Sequence, residues 1–235
     1  MKRGIEVAKS SLVLRYLTTT ITRRYRRMRR RRTVGRAYDM ALEISQFLKS
    51  GITVLDVGCG SGFIAHHLTG ILNAEVVGLD VAPKTSARIN FLRFDGRTFP
   101  VSNQSFDAVL LCYVLHHARD AHVVLTEVRR VLRDQGRVII YEDNPAGWWK
   151  RAVCWTHSLQ WKSRTGACTF QLANDWRQIF RKAGFKVTKQ RGLSRWRNLA
   201  HPVARNFFVL EADANAITLQ RDLPLTTTLM NEIAA

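Results

Sequence analysis

The sequence predicts an α/β protein built on a doubly wound, seven-stranded sheet that is mostly parallel and ends in an antiparallel C-terminal edge. Three observations predict it. Short β-branched runs alternate with segments of helical period from about residue 50 onward. The runs are apolar at consecutive positions, as in strands buried on both faces. The last two runs are joined by Gly-Leu-Ser and His-Pro turn signals instead of a helix, which favours a hairpin-like pairing.

In chain order, the strand-like runs are ITVLDVG (52–58), EVVGLD (75–80), INFLRFD (89–95), FDAVLLC (106–112) and GRVIIYE (136–142). Between the first two, Ile64, Ala65, Leu68, Ile71 and Leu72 share one face of a helix over 63–72. A second helix, 121–132, places Val124, Leu125, Val128, Val131 and Leu132 on one face, with Asp120 as N-cap and Gly136 just past its end. Strand–helix–strand alternation requires parallel pairing with right-handed crossovers. DWRQIFRKAG (175–184) is a helix stopped by Gly184, and FKVTKQR (185–191) and RNFFVLEA (205–212) complete the seven strands.

Charge divides the chain differently. Net charge is +19, and residues 1–36 hold 13 Lys or Arg against Glu6 alone. Eight of the ten residues in RRYRRMRRRR (23–32) are arginine. We therefore separate a basic arm (1–36), a folded domain (37–212) and a tail without clear period (213–235). Leu14, Leu17, Ile21, Tyr25 and Met28 form one stripe on a basic amphipathic helix, which suits an anionic membrane surface. The same arginines could hold RNA phosphates, serve as an organelle transit signal, or only solvate the chain. No run is long and apolar enough to span a bilayer, and no secretory segment opens the chain. Cys59, Cys112, Cys154 and Cys168 form no CxxC, as expected of reduced cytosolic thiols. The expected location is cytoplasmic, peripheral on a membrane.

VLDVGCGSGF (54–63) spends three glycines in five positions directly after the first strand. At the carboxyl edge of a parallel sheet such a turn faces the switch-point crevice where ligands bind. The following helix start offers unpaired N–H groups to an anion. Asp80, 22 residues after Gly58, ends the next strand, where a carboxylate can accept from two ribose hydroxyls. The residues thus point to a nucleoside cofactor.

The glycine spacing separates cofactor classes. Asp56, Gly58, Gly60 and Gly62 give DxGxGxG, not the GxGxxG of dinucleotide binding. Together with Asp80, Asp95-Gly96, SFDAVLLCYVLHH (105–117) and EVRRVLRDQGRVIIYED (127–143), this pattern resembles the class I S-adenosylmethionine-dependent methyltransferases. The likeness covers about residues 50–212 and is closest to the type 11-like branch of quinone and small-molecule enzymes. It implies a Rossmann-like domain with S-adenosylmethionine as cofactor. Gly58, Cys59, Gly60 and Gly62 would line the methionine end, with Asp56 reaching the amino group. Asp80 would hold the ribose, Asp95 with Gly96 the adenine amino group, and Cys112 and Tyr113 would flank the sulfonium. One departure stands out. Only VAPKTSAR (81–88) separates Asp80 from Ile89, where the family places a full helix.

Methyl transfer needs aligned reactants and, for an oxygen or nitrogen acceptor, a base. His116 and His117 follow the fourth strand, and Glu142-Asp143 the fifth, so His117, His116 and Asp143 are the expected catalytic groups. Each could equally be a cap or a packed side chain. The seven histidines show no ligand spacing, so no metal is expected. Asp/Asn-Pro-Pro-Tyr is absent after strand four, which argues against adenine-N6 or glutamine methylation. An insert over 144–174 is rich in aromatics, with Trp148, Ala152, Trp155 and Leu159 on one helical face. It caps a substrate pocket or packs on the sheet. The expected function is methyl transfer to a small aromatic or lipid-like acceptor at a membrane. RNA, or another macromolecule, is the alternative acceptor, and a cofactor-binding protein without transferase activity is the third reading.

Overall fold

The computed structural model describes residues 2–166, 168–193 and 203–213, with the side chains of 2–21 and 163–165 left aside. The expected tail (213–235), apart from Asp213, lies outside the described residues, as do most of the turn between the last two strands and the side chains of Leu14, Leu17 and Ile21.

Seven strands form one sheet in the order β3-β2-β1-β4-β5-β7-β6. They are β1 (Thr53–Val57), β2 (Glu75–Asp80), β3 (Asn90–Arg93), β4 (Phe106–Cys112), β5 (Leu132–Asp143), β6 (Phe185–Leu193) and β7 (Arg205–Ala212). The first five pair in parallel, and β7 runs antiparallel to both β5 and β6. The reversed strand is therefore one place in from the edge, and β6 closes the sheet. The chain moves outward from β1 to β3 and then crosses back to β4, which opens a crevice between the carboxyl ends of β1 and β4.

Alternating strand residues face two cores. On one side Leu55, Val109, Val138, Ile140 and Phe208 meet α3 (Ala121–Val131) and α5 (Ala173–Lys182) through Val124, Leu125, Val128, Trp176 and Phe180. On the other, Val54, Leu110, Ile139 and Phe207 meet α2 (Phe63–Leu72) and the end of α1 (Lys2–Ser45) through Ala65, Leu68, Ala41 and Ile44. Trp176 is fully buried and stacks on Phe180, ring centroids 5.8 Å apart. Trp176→Ala should cost about 3–5 kcal/mol. Urea unfolding with an unchanged slope would show it.

Local chemistry explains the boundaries. Asp120 caps α3, its Oδ1 accepting from the His122 N–H at 2.8 Å. β5 begins at Leu132, four residues before the expected Gly136, and its pairing with β4 slips between Phe106 and Ala108. The segment after Asp80 contains no helix, as its length requires.

α1 is one helix across residue 36, the expected boundary of the arm, and Thr18–Thr20 do not interrupt it. Its packed part starts at Ala37, while Arg23 to Arg32 are all exposed. Glu43 ties it to the sheet, accepting from Tyr141 Oη at 2.9 Å and from Arg191 at 2.7 Å.

Candidate functional site

The glycine loop fills the turn from β1 to α2, with Gly58, Gly60 and Gly62 all at positive φ. Each bare backbone has its own neighbour. A Cβ at Gly58 would lie 2.5 Å from Val114, and one at Gly62 would lie 2.5 Å from Thr85 Oγ1 and 2.9 Å from Ile89. At Gly60 the nearest heavy atom would be 4.0 Å away. Two of the glycines thus admit the protein's own side chains, and the third faces open space.

Asp80, at the end of β2, accepts from the Gly60 N–H at 2.8 Å and, through its other oxygen, from the Ala82 N–H at 2.9 Å. It holds the loop's tip and retains lone pairs for ligand hydroxyls. Asp56 lies below, 1% exposed, and its Oδ2 has no hydrogen-bond partner. Burial, then the charge of Asp80, pushes its pKa up to about 7, against a hydrogen bond from the Ala65 backbone. A buried carboxylate oxygen without a partner is costly, and a cationic donor would relieve that cost.

The expected residues are brought together unevenly. Cys59 turns its Sγ toward the sheet, 2.9 Å from where a Gly78 Cβ would stand. Burial raises the thiol pKa of both Cys59 and Cys112. Tyr113 holds φ at 63°, uncommon for a bulky residue, and its Oη accepts from Arg205 at 2.8 Å. Asp95 is exposed, and its Oδ1 accepts from the Arg97 and Thr98 N–H groups, which lowers its pKa. It is a turn-former on the rim, with Gly96 at φ 85° beside it.

Across the crevice stands an imidazole cluster. A 3-10 turn, Leu115–His117, follows β4 and faces α4 (Trp148–Thr165). His116 is buried, with Nδ1 2.6 Å from Glu142 Oε2. Its ring stacks on Phe170, centroids 4.7 Å apart. His117 Nε2 lies 3.3 Å from His157 Nε2, and His117 Nδ1 lies 3.3 Å from Cys168 Sγ. Burial, then the imidazoles of His116 and His157, pulls the pKa of His117 down to about 3. That imidazole is neutral at physiological pH but a weak proton acceptor. Asp143, at the end of β5, is instead pushed up to about 6, chiefly by burial.

Two arrangements differ from what the sequence pattern alone suggests. Trp148, Trp155 and Leu159 are exposed, and Ala152 with them, so this face of the insert is open to solvent. The inward face carries Cys154, His157 and Trp161. Three of the seven histidines also converge in space without any spacing in sequence. His157 comes from the insert, about forty positions from the pair it meets, and no local signal marks it.

Comparison with known proteins agrees with this geometry. Residues 55–140 match the family model described as a methyltransferase domain. The chain is 34% identical over 108 residues to a sterol 24-C-methyltransferase of Gibberella zeae, covering 40% of this chain and 28% of that one. It is 34% identical over 122 residues to the demethylmenaquinone methyltransferase of Thermus thermophilus, covering 47% and 53%. It therefore spans only part of these relatives' lengths. A solved S-adenosylmethionine-dependent methyltransferase of Methanosarcina mazei shares the fold, with TM-score 0.57 and 17% identity over 72% of this chain and 96% of that one. The sheet order, the glycine loop and these matches together give residues 55–140 the methyltransferase domain of the class I, type 11-like kind, a fold that implies S-adenosylmethionine as cofactor.

Proposed function

We propose that this chain methylates a small, aromatic or lipid-like acceptor held between the glycine-loop crevice and α4. The observation that carries this reading is the paired arrangement of Asp56 and Asp80 around an open Gly60, opposite an aromatic wall of His117, His157, Trp161 and Phe170. These residues fit the cofactor. Asp56 would take its ammonium group, Asp80 its ribose hydroxyls, and Asp95 with Gly96 its adenine amino group. Bound there, S-adenosylmethionine supplies a methyl group already activated by its sulfonium. Cys112 and Tyr113 would line the place where donor and acceptor meet, with Arg205 fixing the Tyr113 ring. Asp143, whose carboxyl burial pushes up to about 6, is suited to accept a proton near neutral pH. The sterol and menaquinone relatives support a greasy acceptor.

Incubating a cell extract with methyl-labelled S-adenosylmethionine, then separating lipid, RNA and protein, tests the acceptor class. Label in the lipid fraction is expected. Label in RNA would move the acceptor to the alternative reading.

The membrane part of the proposal rests on two exposed features. Trp148, Trp149, Trp155 and Leu159 lie open on α4 beside Lys150 and Arg151, and the α1 arginines add a cationic surface. Tryptophan at an interface and cations at anionic headgroups are the ordinary means of peripheral attachment. No described helix is long and apolar enough to cross a membrane. Anionic vesicles should sediment the full chain, and Trp155→Glu with Leu159→Glu should release most of it. Undiminished sedimentation of that double variant would remove α4 from the interface.

A further inference from the structure

We propose that His116, His117 and His157 form a binding site for a divalent transition metal of the zinc class, one ring nitrogen from each serving as ligand. The three candidate ligand atoms lie within 4.8 Å of one another. The Nε2 atoms of His117 and His157 are 3.3 Å apart. Two imidazole nitrogens at zinc bonding distance in tetrahedral geometry stand about 3.3–3.4 Å apart, so this pair is already spaced for one ion.

His116 supplies the second, independent observation. Its Nε2 is buried and has no hydrogen-bond partner. Its Nδ1 is occupied by Glu142, whose other oxygen accepts from the Leu115 N–H at 2.8 Å and so is fixed in place. A carboxylate on one ring nitrogen fixes the tautomer and presents the other nitrogen as a lone pair, the usual support behind a metal-bound histidine. Cys168 Sγ stands in the corresponding position behind His117 Nδ1.

The environment favours a bound cation. The Glu142 carboxylate is fully buried behind His116, and a dication in front of that ring would offset its charge. Three imidazoles with no carboxylate ligand select zinc, copper, iron or nickel over magnesium or calcium. They leave a fourth position for water or an acceptor oxygen. The ion would pin α4 to the 3-10 turn after β4, with His116 and His117 acting as ligands, not proton acceptors. None of this depends on methyl transfer.

The test uses the full chain, stripped of metal with a chelator and titrated with zinc chloride. One equivalent per chain is expected. His157→Ala, at a half-buried position on the inward face of α4, should weaken zinc binding about 100-fold or more, and Glu142→Gln about 10–100-fold. The wild-type chain loaded with cobalt(II) should show the visible bands of a tetrahedral site, a readout that needs no variant to fold. Zinc affinity equal in wild type and folded His157→Ala, or a cobalt spectrum without those bands, would overturn the site and leave the imidazoles hydrogen-bonded to one another.

Discussion

Gly60→Val is expected to reduce S-adenosylmethionine affinity by more than about a hundredfold while the protein stays folded. The nearest heavy atom to an added Cβ is the Gly58 carbonyl oxygen at 4.0 Å, so the fold itself has room. The backbone pays for a left-handed valine, about 1–2 kcal/mol, against a total stability of about 5–15 kcal/mol. That predicts a melting point lower by roughly 2–8 °C. The branched side chain would meanwhile stand in the crevice above Asp80. Gly62→Ala is the control with opposite character. Its Cβ would strike Thr85 and Ile89 at 2.5 and 2.9 Å, so it should damage folding first. Calorimetric titration beside thermal melts separates the two effects. A folded Gly60→Val that binds the cofactor at wild-type affinity would mean that the open side of the loop is not the cofactor side.

Asp56→Asn should move stability and binding in opposite directions. Burial raises the Asp56 carboxyl from 3.8 to about 7 in the folded chain. Between those values the folded state holds a proton that the unfolded state has lost. Stability therefore falls as pH climbs from about 4 to 7, and the penalty is fully present above 7. At 1.36 kcal/mol per pKa unit the penalty reaches up to about 4 kcal/mol. Asparagine keeps an oxygen for the Ala65 N–H and carries no charge, so the variant should melt higher than wild type at pH 8 and equally at pH 4. Its cofactor affinity should drop about tenfold to a hundredfold, the value of one charge-assisted hydrogen bond. In the wild type, affinity should rise through pH 7 as Asp56 ionises. It should then fall above about 8 as an α-amino group loses its proton. A variant no more stable than wild type at pH 8 would place the buried charge elsewhere.

The parts visible in sequence are those specified by local chemistry. β-branched runs with glycine and aspartate punctuation located the strands, and DxGxGxG located the crevice, because turn geometry and backbone approach leave a short-range mark. The missing helix after Asp80 was a matter of counting residues. What the sequence left open depends on contacts between distant segments. The stripe Trp148, Ala152, Trp155, Leu159 marks a genuine apolar face of α4, but a periodicity does not say whether the face meets the sheet or the solvent. The inward face is the one bearing His157, whose partners arrive from the turn after β4. Likewise nothing local in TVGRAYDM shows that α1 continues from its arginines into the core, since the anchors Tyr141 and Arg191 lie about a hundred residues or more away.

The short segment after Asp80 has one further consequence. The backbone N–H groups of Ser86 and Ala87 both donate to the Ser61 carbonyl, at 3.2 and 2.9 Å, while Thr85 and Ile89 close over Gly62. A freely hinged flap would leave such amides to water. Here they are stitched to the same turn that receives the nucleoside. The two margins of the crevice on this side must shift together, as one hoop. Ligand traffic then falls to the opposite margin, where, among the described residues, the turn after β4 meets the insert through side chains and through one backbone bond, from the Thr169 N–H beyond the insert helix to the His116 carbonyl.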